Sequence, residues 1–134
     1  MLTLPSSVRI YIAAEPVDLR RGFDGLAAAT RSLIGDPLSG HLFCFLNKRK
    51  NRIKVLVWDR TGYLLLYKRL ERGTFALPTQ PAPGRRHVEV DAAELGLMLE
   101  GLDLRGGSAA YPLVPEPPSG ARSGARVVRR PVTP

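Results

Sequence analysis

Within NKRKNRIKVLVWDRTGYLLLYKR, residues 47–69, the side chains Lys48, Arg49, Lys50, Arg52 and Lys54 crowd ammonium and guanidinium groups into one short segment. Like charges so close together repel and add little to packing, so their natural ligand is a polyanion. Phosphate oxygens are what lysine meets as a point charge and arginine clamps in bidentate fashion. Trp58, Tyr63 and Tyr67 share the stretch, and flat rings interleaved with cations suit stacked, unpaired bases. Lys68 and Arg69 close it. The blander use of the same residues is a charged tip that protects strand edges from aggregation. The expectation is a nucleic-acid-binding surface of Lys48, Arg49, Lys50, Arg52, Lys54, Trp58, Lys68 and Arg69.

Residues suited to bond-breaking chemistry are sparse. His41 and His87 have no metal-ligand spacing to one another or to Cys44. Cys44 lies in an apolar run and reads as a buried, inert thiol; being the only cysteine, it also excludes an intramolecular disulfide. Asp18 and Asp24 flank an expected helix, and Asp59 sits at an expected turn, where capping and turn formation account for them. RGFDG, residues 21–25, lacks both the spacing and the lysine of a phosphate-binding loop. No enzymatic activity, cofactor or metal is expected.

The formal charge of the 134-residue chain is +8, from 20 Lys plus Arg against 12 Asp plus Glu. It is unevenly spread: Lys48 to Arg72 carries +7, the segment from Arg105 to Pro134 carries +4, and the remainder is slightly acidic. An excess gathered in two places points to polyanions. With no long apolar stretch and no signal-peptide pattern at the start, the reading is a cytoplasmic protein without membrane association.

These side chains need a scaffold, and the periodicities supply one. Val8 to Ala14 reads as a short strand at an edge of the sheet, ended by Glu15-Pro16. Phe23, Leu26, Ala27, Thr30, Leu33 and Ile34 recur at helical spacing, with Asp18 as an upstream cap and Gly35-Asp36-Pro37 as the stop. Runs 41–47, 52–59 and 63–69 follow, joined by short polar connections, which is the pattern of an antiparallel meander. A Pro-rich loop, 77–86, precedes Asp91 and Glu94, whose spacing is that of a capping box before a second helix bearing Leu95, Met98, Leu99 and Leu102. The resulting class is α+β: a mainly antiparallel sheet, made of a three-stranded meander plus the N-terminal strand and packed with two helices. Residues 1–104 form the single domain, and 105–134 form a disordered Pro/Gly/Arg-rich tail.

If Asn47 faces Arg52 and Asp59 faces Gly62, the two-residue period sorts the meander into two faces. Leu42, Cys44, Leu46, Ile53, Val55, Val57, Leu64 and Leu66 form a wholly apolar face, expected to be the core. His41, Phe43, Phe45, Arg52, Lys54, Leu56, Trp58, Tyr63, Leu65, Tyr67 and Arg69 share the other. That mixed face is either an open stacking platform or is covered, by the second helix, the N-terminal strand or another subunit.

FDGLA, DPLSGHLFCF, the basic NKRKNR, VLVWDRTGY and KRLERGTF, followed by the LGLMLEGLDL helix, together resemble the TnpB accessory proteins of insertion-sequence-66 type transposons. The resemblance spans residues 8 to about 104. These proteins are distinct from the much larger RNA-guided nucleases that share the TnpB name, whose length and zinc-ribbon pattern this chain lacks. One departure is Leu77, where the resemblance leads one to expect a tryptophan before Pro78. The resemblance implies a protein encoded beside a separate, larger transposase and needed for efficient transposition, and it brings no catalytic residues with it. The expected function is a non-catalytic accessory factor binding DNA through the basic hairpin. The alternative is an interaction module that bridges or recruits the transposase, or pairs with itself, through the aromatic face.

Overall fold

Five apolar or alternating runs become strands and two helical periods become helices in the computed structural model, which describes residues 7–101. In chain order these are β1 (Ile10–Ala13), α1 (Phe23–Leu33), β2 (Leu42–Leu46), β3 (Arg52–Trp58), β4 (Tyr63–Arg69), β5 (His87–Val90) and α2 (Ala92–Leu99). The expected domain end at residue 104 and the expected disordered tail, 105–134, lie outside the described residues.

The strands form one sheet in the order β4-β3-β2-β1-β5. The meander is present and in the anticipated register, with Phe43 opposite Leu56, Arg52 opposite Arg69 and Trp58 opposite Tyr63. Both turn pairings hold: Asn47 N donates to Arg52 O at 3.2 Å, and Asp59 N to Gly62 O at 3.0 Å.

Two features of the sheet differ from the sequence reading. β1 is not an edge strand; it lies between β2 and β5 and runs parallel to β2, with Ile10 beside Leu42 and Ile12 beside Cys44. A parallel neighbour requires a crossover, and α1 is that connection. The second difference is β5, which pairs antiparallel with β1. At four residues, HVEV is too short for its alternation to stand out behind a Pro-rich loop. The sheet is therefore mixed, though mostly antiparallel.

The helix ends divide likewise. Asp18 does not cap α1: the N-cap is Gly22, without a side-chain cap bond. Asp18 instead accepts from the Arg20 backbone N–H at 3.0 Å and from its guanidinium at 2.8 Å, which holds the carboxyl down at about 2. At α2 the capping box is complete, Glu94 N donating to Asp91 Oδ1 at 2.7 Å and Asp91 N to Glu94 Oε1 at 2.9 Å.

The helices sit on opposite faces, so both faces carry core. α1 lays Leu26, Ala27 and Ala29 over Phe43, Phe45 and Leu56. On the other face, α2 sets Leu95 and Met98 with Ile12, Cys44, Ile53 and Val55, joined by Leu70 and Phe75. The apolar face is core, as expected, and of the two alternatives for the mixed face the covered one holds. The mixed face is closed by α1, and the apolar face runs out at β4, where Leu64 and Leu66 are 49% and 55% exposed.

Candidate nucleic-acid interface

The β2–β3 turn is built by one asparagine. Asn47 Oδ1 accepts from the backbone N–H of Asn51 at 3.0 Å and of Arg52 at 2.9 Å, and Asn47 Nδ2 donates to Asn51 Oδ1 at 2.7 Å. Lys50 N donates to Asn47 O at 3.0 Å, with Lys50 itself in the left-handed region at φ 60°. That conformation costs a residue bearing a Cβ on the order of 1 kcal/mol. The backbone is therefore held while Lys48, Arg49 and Lys50 stay exposed.

A second segment braces the turn from behind. Leu70 N donates to Asn51 O at 2.8 Å and Phe75 N to Lys50 O at 2.6 Å, while both side chains are buried in the α2-side core. The loop between them brings exposed Arg72 to the same end of the sheet. Sequence reasoning missed this brace. The available signal was two apolar residues, Leu70 and Phe75, bracketing the polar ERGT.

Arg52 and Arg69 extend the basic end onto the strands, directly opposite each other in register and both exposed. Like charges so placed destabilise a strand pair. Relief comes from neighbours: Arg52 Nη1 donates to Tyr67 Oη at 3.1 Å, and Arg69 pairs with Glu71 at 3.0 Å.

The other anticipated residues fall elsewhere. Lys54 is buried, at 9% exposure; its Nζ donates to Arg21 O at 3.0 Å and sits 4.8 Å from the Tyr67 ring centroid. Its charge is committed inside the α1 side of the fold. Lys68 lies on the α2 face, donating through Nζ to Leu99 O at 2.6 Å, the favourable place for a cation at a helix C-terminus. Trp58 is at the far end of β3 from Arg52, about 20 Å away at strand rise. It packs edge-on against Tyr63, centroids 5.1 Å apart. Replacing Lys54 by methionine is accordingly expected to lower stability by about 1–2 kcal/mol in urea denaturation, through the lost charged hydrogen bond. The salt dependence of any DNA binding should stay as it is in the parent.

The stacking platform shrinks for the same reason. Phe43, Phe45 and Leu56 are essentially inaccessible beneath α1, and of the rings on that face only Tyr67 is substantially exposed. The cover is the first helix, where the sequence reading named the second helix, the N-terminal strand or another subunit.

Among the described residues, ion pairs neutralise some of the surface cations but not those of the turn, nor exposed Arg21, Arg31, Arg60 and Arg85. Arg9, Arg20, Arg69 and Arg86 each meet a carboxylate, on Glu89, Asp18, Glu71 and Glu15 respectively. No ion pair among the described residues reaches Lys48, Arg49 or Lys50.

The residues weighed for chemistry have structural roles. Cys44 is fully buried between the helices' layers, and desolvation pushes its thiol up to about 12. Asp59 Oδ1 accepts from Thr61 N, Thr61 Oγ1 and Gly62 N, and these turn bonds, led by the Thr61 backbone, hold its carboxyl below the usual range. His41 Nδ1 accepts from Arg9 N at 3.0 Å, and His87 Nδ1 lies 3.2 Å from Leu33 O; both rings edge against Tyr11. Among the described residues no group of three His, Cys, Asp or Glu could hold a metal ion, and no helix is long and apolar enough to cross a membrane.

Comparison with known proteins agrees with the motifs. The family model described as IS66 Orf2 like protein matches residues 8–108. The uncharacterised protein y4jC of Sinorhizobium fredii (strain NBRC 101917 / NGR234) is 40% identical over 97 residues, covering 72% of this chain and 80% of the relative. The uncharacterised protein y4hO of the same organism is 34% identical over 106 residues, covering 78% and 90%. No solved structure matches.

Proposed function

Since the chain belongs to the IS66 Orf2 like family of insertion-sequence accessory proteins, we propose that it is a non-catalytic transposition factor that grips DNA phosphates with the braced β2–β3 turn. The observation that carries this reading is the clustering of charge: three adjacent exposed cations, which no ion pair among the described residues reaches, on a turn whose backbone is fixed by Asn47, Leu70 and Phe75. A rigid presentation reduces the ordering cost of binding. Lys48, Arg49, Lys50 and Arg52 contact phosphates; Arg69 and Arg72 add to the local potential. With the aromatic face closed by α1, the ligand is duplex backbone, and base stacking plays no large part.

Fluorescence anisotropy of labelled duplex, titrated with the protein across a salt series, tests this. Four phosphate contacts give a log–log slope of about −3.6, a loss of roughly a hundredfold between 50 and 200 mM salt. Transposon-end and scrambled duplexes should behave alike if only phosphates are read. A slope near zero, or no binding, would reject the reading in favour of a module that recruits the separate transposase. That rival would need a surface other than the aromatic face, which is occupied at Phe43, Phe45 and Leu56.

A further inference from the structure

The sheet has two edges, and they are built differently. β5 is four residues long, and its exposed Glu89 is tied to Arg9. A short, charged edge of that kind resists pairing with another chain. β4, the opposite edge, runs seven residues and passes through Tyr63, Leu64, Leu65, Leu66 and Tyr67 before its first charge, Lys68. It carries no proline and no bulge, its register with β3 being unbroken from Tyr63 to Arg69. Leu64, Leu66 and Tyr67 are about half exposed, and among the described residues no strand lies beyond them.

The ladder with β3 fixes which backbone groups of β4 face outward. Asp59 N donates to Gly62 O at one end and Leu70 N to Asn51 O at the other. Bonded and non-bonded pairs alternate between those ends, so Leu64, Leu66 and Lys68 bond to β3. The N–H and C=O groups of Tyr63, Leu65, Tyr67 and Arg69 therefore point away from the sheet. A strand that adds here must offer outward groups at the same two-residue spacing.

β4 itself meets that requirement. Set antiparallel to a second copy about an axis at Leu66, every residue of the strand finds a partner: Leu66 meets Leu66, Leu65 meets Tyr67, Leu64 meets Lys68 and Tyr63 meets Arg69. Outward residues fall on outward residues, so the Leu65–Tyr67 and Tyr63–Arg69 pairs become the hydrogen-bonded ones. Leu66 meets its own copy in a non-hydrogen-bonded pair, where side chains approach most closely. No cation stands opposite a cation, unlike Arg52 and Arg69 within the chain. Moving the axis to Leu65 or Tyr67 shortens the paired stretch.

We propose that β4 is a dimerisation edge, joining two copies of this chain antiparallel about Leu66 into one continuous sheet. The contact is isologous and closes on itself, leaving only the short β5 edges. It also keeps the two basic β2–β3 turns apart, because Arg69 lies at the turn end of β4 and falls beside Tyr63 of the second copy.

Cysteine cross-linking in the full chain tests both the contact and its register, with buried Cys44 as a silent background. Leu66→Cys should form a disulfide-linked dimer under mild oxidation, since Cα atoms of a non-hydrogen-bonded pair lie about 4.5 Å apart, within disulfide reach. Leu64→Cys, on the same face and similarly exposed, should stay unlinked, its own image lying about 14 Å away in this register. Sedimentation velocity of the parent should show a monomer–dimer equilibrium at micromolar concentration, a single strand pair being a small interface. Leu66→Lys, which sets ammonium against ammonium at the axis, should weaken that dimer by about tenfold or more with the circular dichroism spectrum unchanged. A parent that stays monomeric throughout, or a Leu66→Lys dimer as tight as the parent's, would overturn the proposal. Cross-linking at position 64 equal to that at 66 would overturn it as well.

Discussion

Exchanging Arg49 and Lys50 together for glutamate is expected to weaken duplex DNA binding by on the order of a hundredfold near 0.1 M salt, and to halve the salt slope from about −3.6 to about −1.8. The slope follows from two lost phosphate contacts, each releasing about one counterion, and reversed charge adds repulsion to the loss. Both side chains are exposed, and the turn uses Lys50 only through its backbone N–H and carbonyl, which the substitution keeps. Stability should therefore shift by no more than about 0.5 kcal/mol, as for other surface changes. Anisotropy titrations and a thermal melt of the same preparation separate the two effects. If affinity stays within threefold of the parent while the melt is unchanged, the turn is not the DNA contact. A contact to phosphate also predicts the same proportional loss on transposon-end and scrambled sequences.

How much of this was legible follows from which forces are local. The meander register was readable because Asn47, Asp59 and Gly62 are turn residues and because slipping by one position would exchange the two faces. The capping box at Asp91 was readable because it needs only two residues at fixed spacing. Face parity put Lys54 beside Tyr67 correctly, yet could not show that the Arg21 carbonyl would arrive to bind it. Asp18 misled because Arg20, two residues on, competes for the carboxylate that a cap would have used.

The choice of covering helix was out of reach for a related reason. Both faces of β2 are apolar, Phe43 and Phe45 on one and Cys44 and Leu46 on the other, so the sequence pattern allows a helix on either side. What decides is connectivity: a parallel β1–β2 pair needs α1 as its crossover, and that pairing was unforeseen. Leu77, in place of the anticipated tryptophan, packs partly buried against the α2-side core, where a smaller apolar residue still meets an apolar wall.

The brace behind the basic turn carries the second large effect. Phe75 is 1% exposed within the α2-side core, and Phe75→Ala should lower stability by about 3–5 kcal/mol, from lost burial plus the cavity left behind. Against a total of about 5–15 kcal/mol for a domain, that brings the protein close to its threshold. Urea denaturation with the slope checked for constancy measures it, and a loss under 1.5 kcal/mol would show that the core closes around the site. The same residue joins stability to binding, because its N–H holds the Lys50 carbonyl and so the turn on which Lys48 and Arg49 are presented. Phe75→Leu, which keeps most of the volume and the same backbone donor, should recover much of the stability. DNA affinity should recover in parallel, whereas affinity that remained at the parental level in folded Phe75→Ala would mean that the turn holds its shape without the brace.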